Sequence, residues 1–375
     1  MEKLAIWLEK SSHRLTKLKG SPVVLNQVTT GYIAAPRLTK MEIMGLINMH
    51  RAINNPWAPS LHTLWLECVD LRILPGQTIN MPNLKVLHLR DVVMVNPNTG
   101  NTAAFKKLKT DNLGLASILN GCRKTLEFLE LYTINLSGMI HFKKDLPMLK
   151  KMKLVRSNDE EGLKALFEAC KTSLETLVHQ EMVLHCFQHF STQMECLKTI
   201  ETENDINGVT LIEKCASTLE NLDLKSFDGT NNFVGFTTPL PALKSIKSSC
   251  SRGGRLGLGV LVALSCQTLE SLCIERVHLY NELRNISYEL PRLKTLNLDK
   301  CEGEGLVFEL LRASRHSIET LEAESLHCRF PSSINFDMPN LKFIKVGTCK
   351  REIMRALEVS TYSFVAQQFL QVFLS

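Results

Sequence analysis

TLESLCIERVHL at 268–279 and LPRLKTLNLDKC at 290–301 share one phrase, Leu-x-x-Leu-x-Leu with isoleucine allowed late, and differ in one charge. Glu270 follows the first leucine of the first stretch, and Lys294 follows that of the second. Both phrases recur along the chain. Glu-type units start at Leu126, Leu174, Leu219, Leu269 and Ile318, with worn copies at Leu15 and Leu61. Lys-type units start at Leu38, Leu84, Leu149, Leu197, Leu243, Leu293 and Leu341. The two types alternate strictly. Each Glu-type start lies 23 or 24 residues before the next Lys-type start, and the return steps are 22 to 26 residues, with one of 42.

This period and phrase are those of a leucine-rich repeat. Apolar residues at the fourth and sixth places share one face of a short strand. Parallel strands from successive units must stack to bury a continuous core. The sequence therefore predicts an α/β solenoid, a horseshoe with one parallel sheet of about 14 strands. Helical and extended returns are expected to alternate. After Lys-type strands, Leu163, Leu166, Phe167 and Cys170 have the i, i+3, i+4, i+7 spacing of a buried helix face. Leu115, Ile118, Leu119 and Cys122 repeat it, as do Gly208, Leu211, Ile212 and Cys215. After Glu-type strands a proline stands two residues before the next start, at Pro36, Pro82, Pro147, Pro241, Pro291 and Pro339, and disfavours a helix there. The array is placed at 1–349, with an inserted polar loop at about 95–112 and a C-terminal capping segment at 350–375.

Neighbouring strands lie about 4.8 Å apart, so a row of like charges after the first leucines would repel. Glu127, Glu175, Glu220, Glu270 and Glu319 instead alternate with Lys85, Lys150, Lys198, Lys244, Lys294 and Lys342. The expected result is a ladder of opposite charges along one rim, structural in role.

The composition is that of a soluble protein, 44% hydrophobic and 22% charged, with a formal charge of +6. No basic tract suits a nucleic-acid or anionic-membrane partner, and no apolar run suits a signal peptide or a membrane span. The expected location is the cytoplasm, with the nucleus as the alternative. The twelve cysteines are then expected as thiols. Cys122, Cys170, Cys215 and Cys266 are read as one inward helix position, and Cys301 and Cys349 as a second core position. HCFQH at 185–189 lacks a second cluster at zinc-site spacing. GGRLGLG at 253–259 lacks the Gly-Lys-Ser/Thr of a phosphate loop and reads as a loop and helix start. No residue is given a catalytic, cofactor-binding or metal-binding role.

The alternating units and their TLExLxL and MPNLKxLxL phrases resemble the leucine-rich repeats of F-box proteins. That resemblance implies a repeat surface that captures a substrate, in a subunit serving a cullin-type ubiquitin ligase. Ribonuclease-inhibitor-like and immune-receptor repeats share much of the phrase and stand as the alternative, without a ubiquitin role. No F-box segment is read here: Leu4, Trp7 and Leu8 already follow the helix template. Ligase docking is therefore assigned to no residue.

Residues between the leucines of each strand face away from the core, onto the concave side. Aromatic side chains next to Arg and Lys there have the character of interface anchors. The candidate partner-binding patch is Trp65, His88, Arg90, Phe128, Glu130, Tyr132, Lys151 and Lys153, facing a protein ligand. The inserted loop VNPNTGNTAAFKKLKTDN, with Lys106, Lys107 and Lys109, is expected beside it.

Overall fold

The structure is a computed structural model. It describes residues 14–20, 36–44, 58–68, 70–71, 79–91, 93–94, 113–157, 159–181, 191–203, 208–225, 233, 236–249, 257–275, 288–301, 306–323 and 338–346. Leu4 to Leu8, the loop at 95–112, HCFQH at 185–189, Cys349 and the segment 350–375 lie outside these residues.

Fourteen strands form one parallel sheet with the leucine-rich-repeat architecture. Its strands in the first part of the chain are β1 (Lys17–Gly20), β2 (Lys40–Met44), β3 (Thr63–Glu67), β5 (Val86–Arg90), β7 (Phe128–Tyr132), β8 (Lys151–Val155) and β9 (Thr176–Gln180). Those in the second part are β10 (Thr199–Glu203), β11 (Asn221–Lys225), β12 (Ser245–Ser249), β13 (Ser271–Glu275), β14 (Thr295–Asp299), β15 (Thr320–Ala323) and β16 (Phe343–Val346). Every one starts two residues after the first leucine or isoleucine of its unit. The chain divides into two compact units, Met1–Leu197 and Lys198–Ser375.

Within the first unit the leucine columns are continuous. Leu64, Leu87, Leu129, Met152 and Leu177 stand in one register row, and Leu66, Leu89, Leu131 and Leu154 in the next. All are buried. His179 occupies the next place in the second row and is also fully buried. In the second unit Leu222, Ile246, Leu272, Leu296 and Leu321 form the equivalent first row.

Helices α1 (Leu113–Cys122), α2 (Glu160–Cys170), α3 (Gly208–Lys214), α4 (Gly257–Leu264) and α5 (Leu306–Ser314) each follow a Lys-type strand. The last three residues of the glycine-rich stretch form the start of α4. The inward helix position carries one chemical device. Cys122, Cys170, Cys215, Ser265 and Ser314 each donate to the carbonyl four residues earlier, at 3.3, 3.2, 3.2, 2.7 and 2.7 Å. Each is a small donor that fits a buried place and finds an acceptor at once. The reading of Cys266 is corrected here: Ser265, four residues before Leu269, fills that position, and Cys266 is only half-buried. Cys301 is buried, with Sγ 3.2 Å from the Ile274 carbonyl.

The returns after Glu-type strands are less uniform than a plain extended segment. That after β7 contains a 3-10 turn, Ser137–His141, and packs Ile134, Leu136, Met139 and Phe142 into the core. The short strands β4 (Asp70–Leu71) and β6 (Val93–Met94) pair in a second, two-stranded parallel sheet.

Strand exits share a backbone corner. Cys68, Asp91, Thr133, Arg156, Glu181 and Lys300 each follow a strand and have φ between 48° and 54°. A non-glycine residue, above all the β-branched Thr133, is uncommon in this left-handed region. The conformation persists where it lets the ladder run on: Asp91, Thr133 and Arg156 each donate to the final carbonyl of the following strand, at 3.0, 2.8 and 3.1 Å.

The rim bearing the alternating charges is also joined by backbone. Glu127 N donates to Lys85 O, Lys150 N to Glu127 O, and Glu175 N to Lys150 O, at 2.8 to 2.9 Å. Side chains close on Lys85–Glu127 at 2.8 Å, Glu220–Lys244 at 2.8 Å and Glu319–Lys342 at 2.7 Å. The lysine hydrogen bond is the leading reason that each of these carboxyls titrates below its ordinary range.

Candidate functional site

Alternation along a strand sends every second side chain to the face opposite the leucine core. Pairing register then decides which of these become lateral neighbours. In the first unit the central row runs Lys19, Glu42, Trp65, His88, Glu130, Lys153 and Val178. Flanking rows bring Val86, Phe128 and Lys151 together on one side, and Glu67, Arg90 and Tyr132 on the other.

All eight patch residues proposed from sequence thus stand on four adjacent strands, β3, β5, β7 and β8. Trp65, His88, Phe128, Glu130 and Lys153 form one contact group, and Arg90 with Tyr132 another. The Trp65 and His88 rings are stacked with centroids 4.6 Å apart, and His88 meets the Phe128 ring edge-on at 5.1 Å. Arg90 lies over the Tyr132 ring at 4.6 Å, a cation–π contact. Glu130 accepts from His88 Nδ1 at 2.5 Å and pairs with Lys153 Nζ at 2.9 Å. With a carboxylate as acceptor, Nδ1 carries the proton. Trp65 Nε1 is covered and finds no hydrogen-bond partner among the described residues, a cost of about 1–3 kcal/mol.

The aromatic rings are half-buried by each other rather than standing free, whereas Arg90 and Lys151 are exposed. Val155 and Val178 are buried, at 2% and 6%, so the accessible patch ends at β8. Sequence alone missed these lateral contacts because His88 and Glu130 are 42 residues apart; aligning the units at their leucines would have supplied the register.

His88 is the largest cause holding the Glu130 carboxyl down at about 2, below its ordinary 4.5; burial opposes it and Lys153 adds to it. A depressed folded value means that the stabilisation is complete above the unfolded pKa and lost as pH falls through the folded one. Stability should therefore decline between pH 4.5 and about 2, and Glu130→Gln should flatten that part of the curve. Urea midpoints at several pH values check this; an unchanged acid limb would show that the triad does not hold Glu130 ionised.

In the second unit the same face is polar: Glu201, Asp223 and Lys247 lie in one row, followed by Cys273 and Asn297. Burial is the main cause that pushes the Cys273 thiol up to about 11. A shallow cavity of about 440 Å³ opens at the rim, between Glu270, Arg292, Lys294 and His316. The described cysteines are free thiols, and burial pushes Cys122 and Cys215 up to about 12, which suppresses thiolate chemistry. Among the described residues no cluster of three or more His, Cys, Asp or Glu is placed to hold a metal. No helix among them is long and apolar enough to cross a membrane.

No family model and no curated protein matches the chain. Among solved structures, an internalin (InlF) from Listeria monocytogenes str. 4b F2365 aligns over 93% of this chain and 86% of its own, with 13% identity and a TM-score of 0.45. The plant peptide hormone receptor RGFR1, solved in complex with RGF2, aligns over 88% of this chain and 57% of its own, with 14% identity and a TM-score of 0.37.

Proposed function

We propose that this chain is a non-catalytic protein-interaction scaffold whose ligand docks on the open sheet face of β3, β5, β7 and β8. The observation that carries this reading is the aromatic cluster Trp65–His88–Phe128 with Arg90 over Tyr132, built on the face away from the core. Cross-strand ring pairs stabilise a solvated sheet face by only about 0.2–1 kcal/mol each. A binding face gains more, because rigid aromatic and arginine side chains supply contact area at small entropic cost.

The resemblance of the repeats to those of F-box proteins extends the reading. The ligand is then a ubiquitylation substrate, the chain is the recognition subunit of a cullin-type ligase, and the cytoplasm or nucleus is where it works.

Affinity purification with mass spectrometry tests both levels. Trp65→Ala with Tyr132→Ala should deplete the partners captured by the wild-type chain. An unchanged partner set overturns the docking face. Recovery of cullin and its linker subunits supports the ligase reading, and their absence from an otherwise specific partner set removes it.

A further inference from the structure

We infer that the ligand of this face presents an acidic segment, with side-chain carboxylates flanking an apolar or aromatic residue. The inference rests on the proposed docking role and adds the chemistry of the partner.

The argument is a balance of charge by register. The outward rows of β1 to β8 bear the carboxylates Glu42, Glu67 and Glu130. All three are already engaged. Glu42 lies 3.1 Å from Lys19 and 2.6 Å from Lys40, Glu67 lies 3.5 Å from Arg90, and Glu130 is shared by His88 and Lys153. The same rows also bear Lys17 and Lys151, both exposed. Among the described residues neither has a carboxylate within ion-pair distance. Cations therefore exceed carboxylates, and they stand on both sides of the aromatic band: Lys17, Lys19 and Lys40 before Trp65, Lys151 and Lys153 after Phe128. A docking protein would strip water from this surplus, so it must return negative charge or lose affinity.

Nucleic acid fits the same charge less well. Base stacking needs free ring faces, but His88 already takes one face of Trp65 and Arg90 one face of Tyr132. Glu67 and Glu130 would also repel a phosphate backbone.

The test is selection of a phage-displayed library of random short peptides on the full-length chain. Enriched sequences should be net acidic and contain an apolar or aromatic residue. By fluorescence anisotropy, a representative peptide should bind about tenfold or more weakly to Lys151→Glu and to Arg90→Glu. It should also weaken from about 0.1 to about 0.5 M salt. Lys300→Glu, an exposed charge in the second unit, should leave binding unchanged. Neutral or basic consensus sequences, no enrichment, or indifference to Lys151→Glu would each overturn the inference. So would displacement of the peptide by oligothymidine that is itself lost on Lys151→Glu, which assigns the face to nucleic acid. If captured cellular proteins depend on Trp65 and Tyr132 while the selected peptides are not acidic, docking stands and only the acidic chemistry falls.

Discussion

Gly162→Ala is expected to destabilise the first unit by about 2 kcal/mol or more, despite placing a better helix former in α2. Alanine inside a helix gains about 1 kcal/mol over glycine. Against that, a Cβ on Gly162 would overlap the carbonyl oxygen and carbon of Leu136 and reach its Cβ. Leu136 is fully buried and leads into the 3-10 turn that packs on α2. The obstacle is backbone, so no rotamer change removes it; α2 or the return has to move. Overpacking of this kind costs about 1–3 kcal/mol, occasionally more. Moving α2 also strains its N-cap, where Asp159 Oδ1 accepts from Gly162 N at 2.7 Å, and loss of a cap costs about 1 kcal/mol. Urea unfolding followed by circular dichroism reads the result. A midpoint equal to or above wild type would mean that α2 and the preceding return do not approach as closely as described. Gly121→Ala is the parallel case, since its Cβ would overlap the Ile79 carbonyl in the adjoining return.

That close approach was hidden from the sequence, and the reason is general for this chain. Periodicity reports which side of a strand or helix a residue occupies, because burial selects leucine at every turn of the repeat. It therefore placed all fourteen strand starts and the faces of α1 and α2. The rim charges were legible for the same reason, their alternation following the alternation of unit types. Periodicity says nothing of left-handed corners: Thr133 and Arg156 hold them through ladder hydrogen bonds, not through glycine. Nor does composition reveal register on its own. Cys266 was misplaced by residue type, whereas counting back four from Leu269 reaches Ser265. The patch residues were nameable because outward positions follow from the strand phase. Their stacking, the shared carboxylate of Glu130 and the closure at Val155 depend on lateral neighbours far apart in sequence.

Leu131→Ala should cost about 2–5 kcal/mol, the range for a buried leucine whose cavity the surroundings only partly fill. Leu131 is fully buried in β7 with Leu89 and Leu154 on either side of it in register. Each unit contacts only its neighbours in a repeat array, so the void cannot be closed by a distant rearrangement. Glu127→Lys, at the rim of the same strand, supplies the comparison. It replaces the 2.8 Å contact with Lys85 by repulsion, but both side chains are largely in water, where such contacts are weak and screened. Its midpoint should shift far less than that of Leu131→Ala, and the shift should shrink as salt rises. Leu131 also backs Glu130 and Tyr132, so its truncation should loosen the open face and weaken peptide binding even where the unit stays folded. Equal destabilisation by the two substitutions would refute the assignment of stability to leucine burial and transfer it to the charged rim.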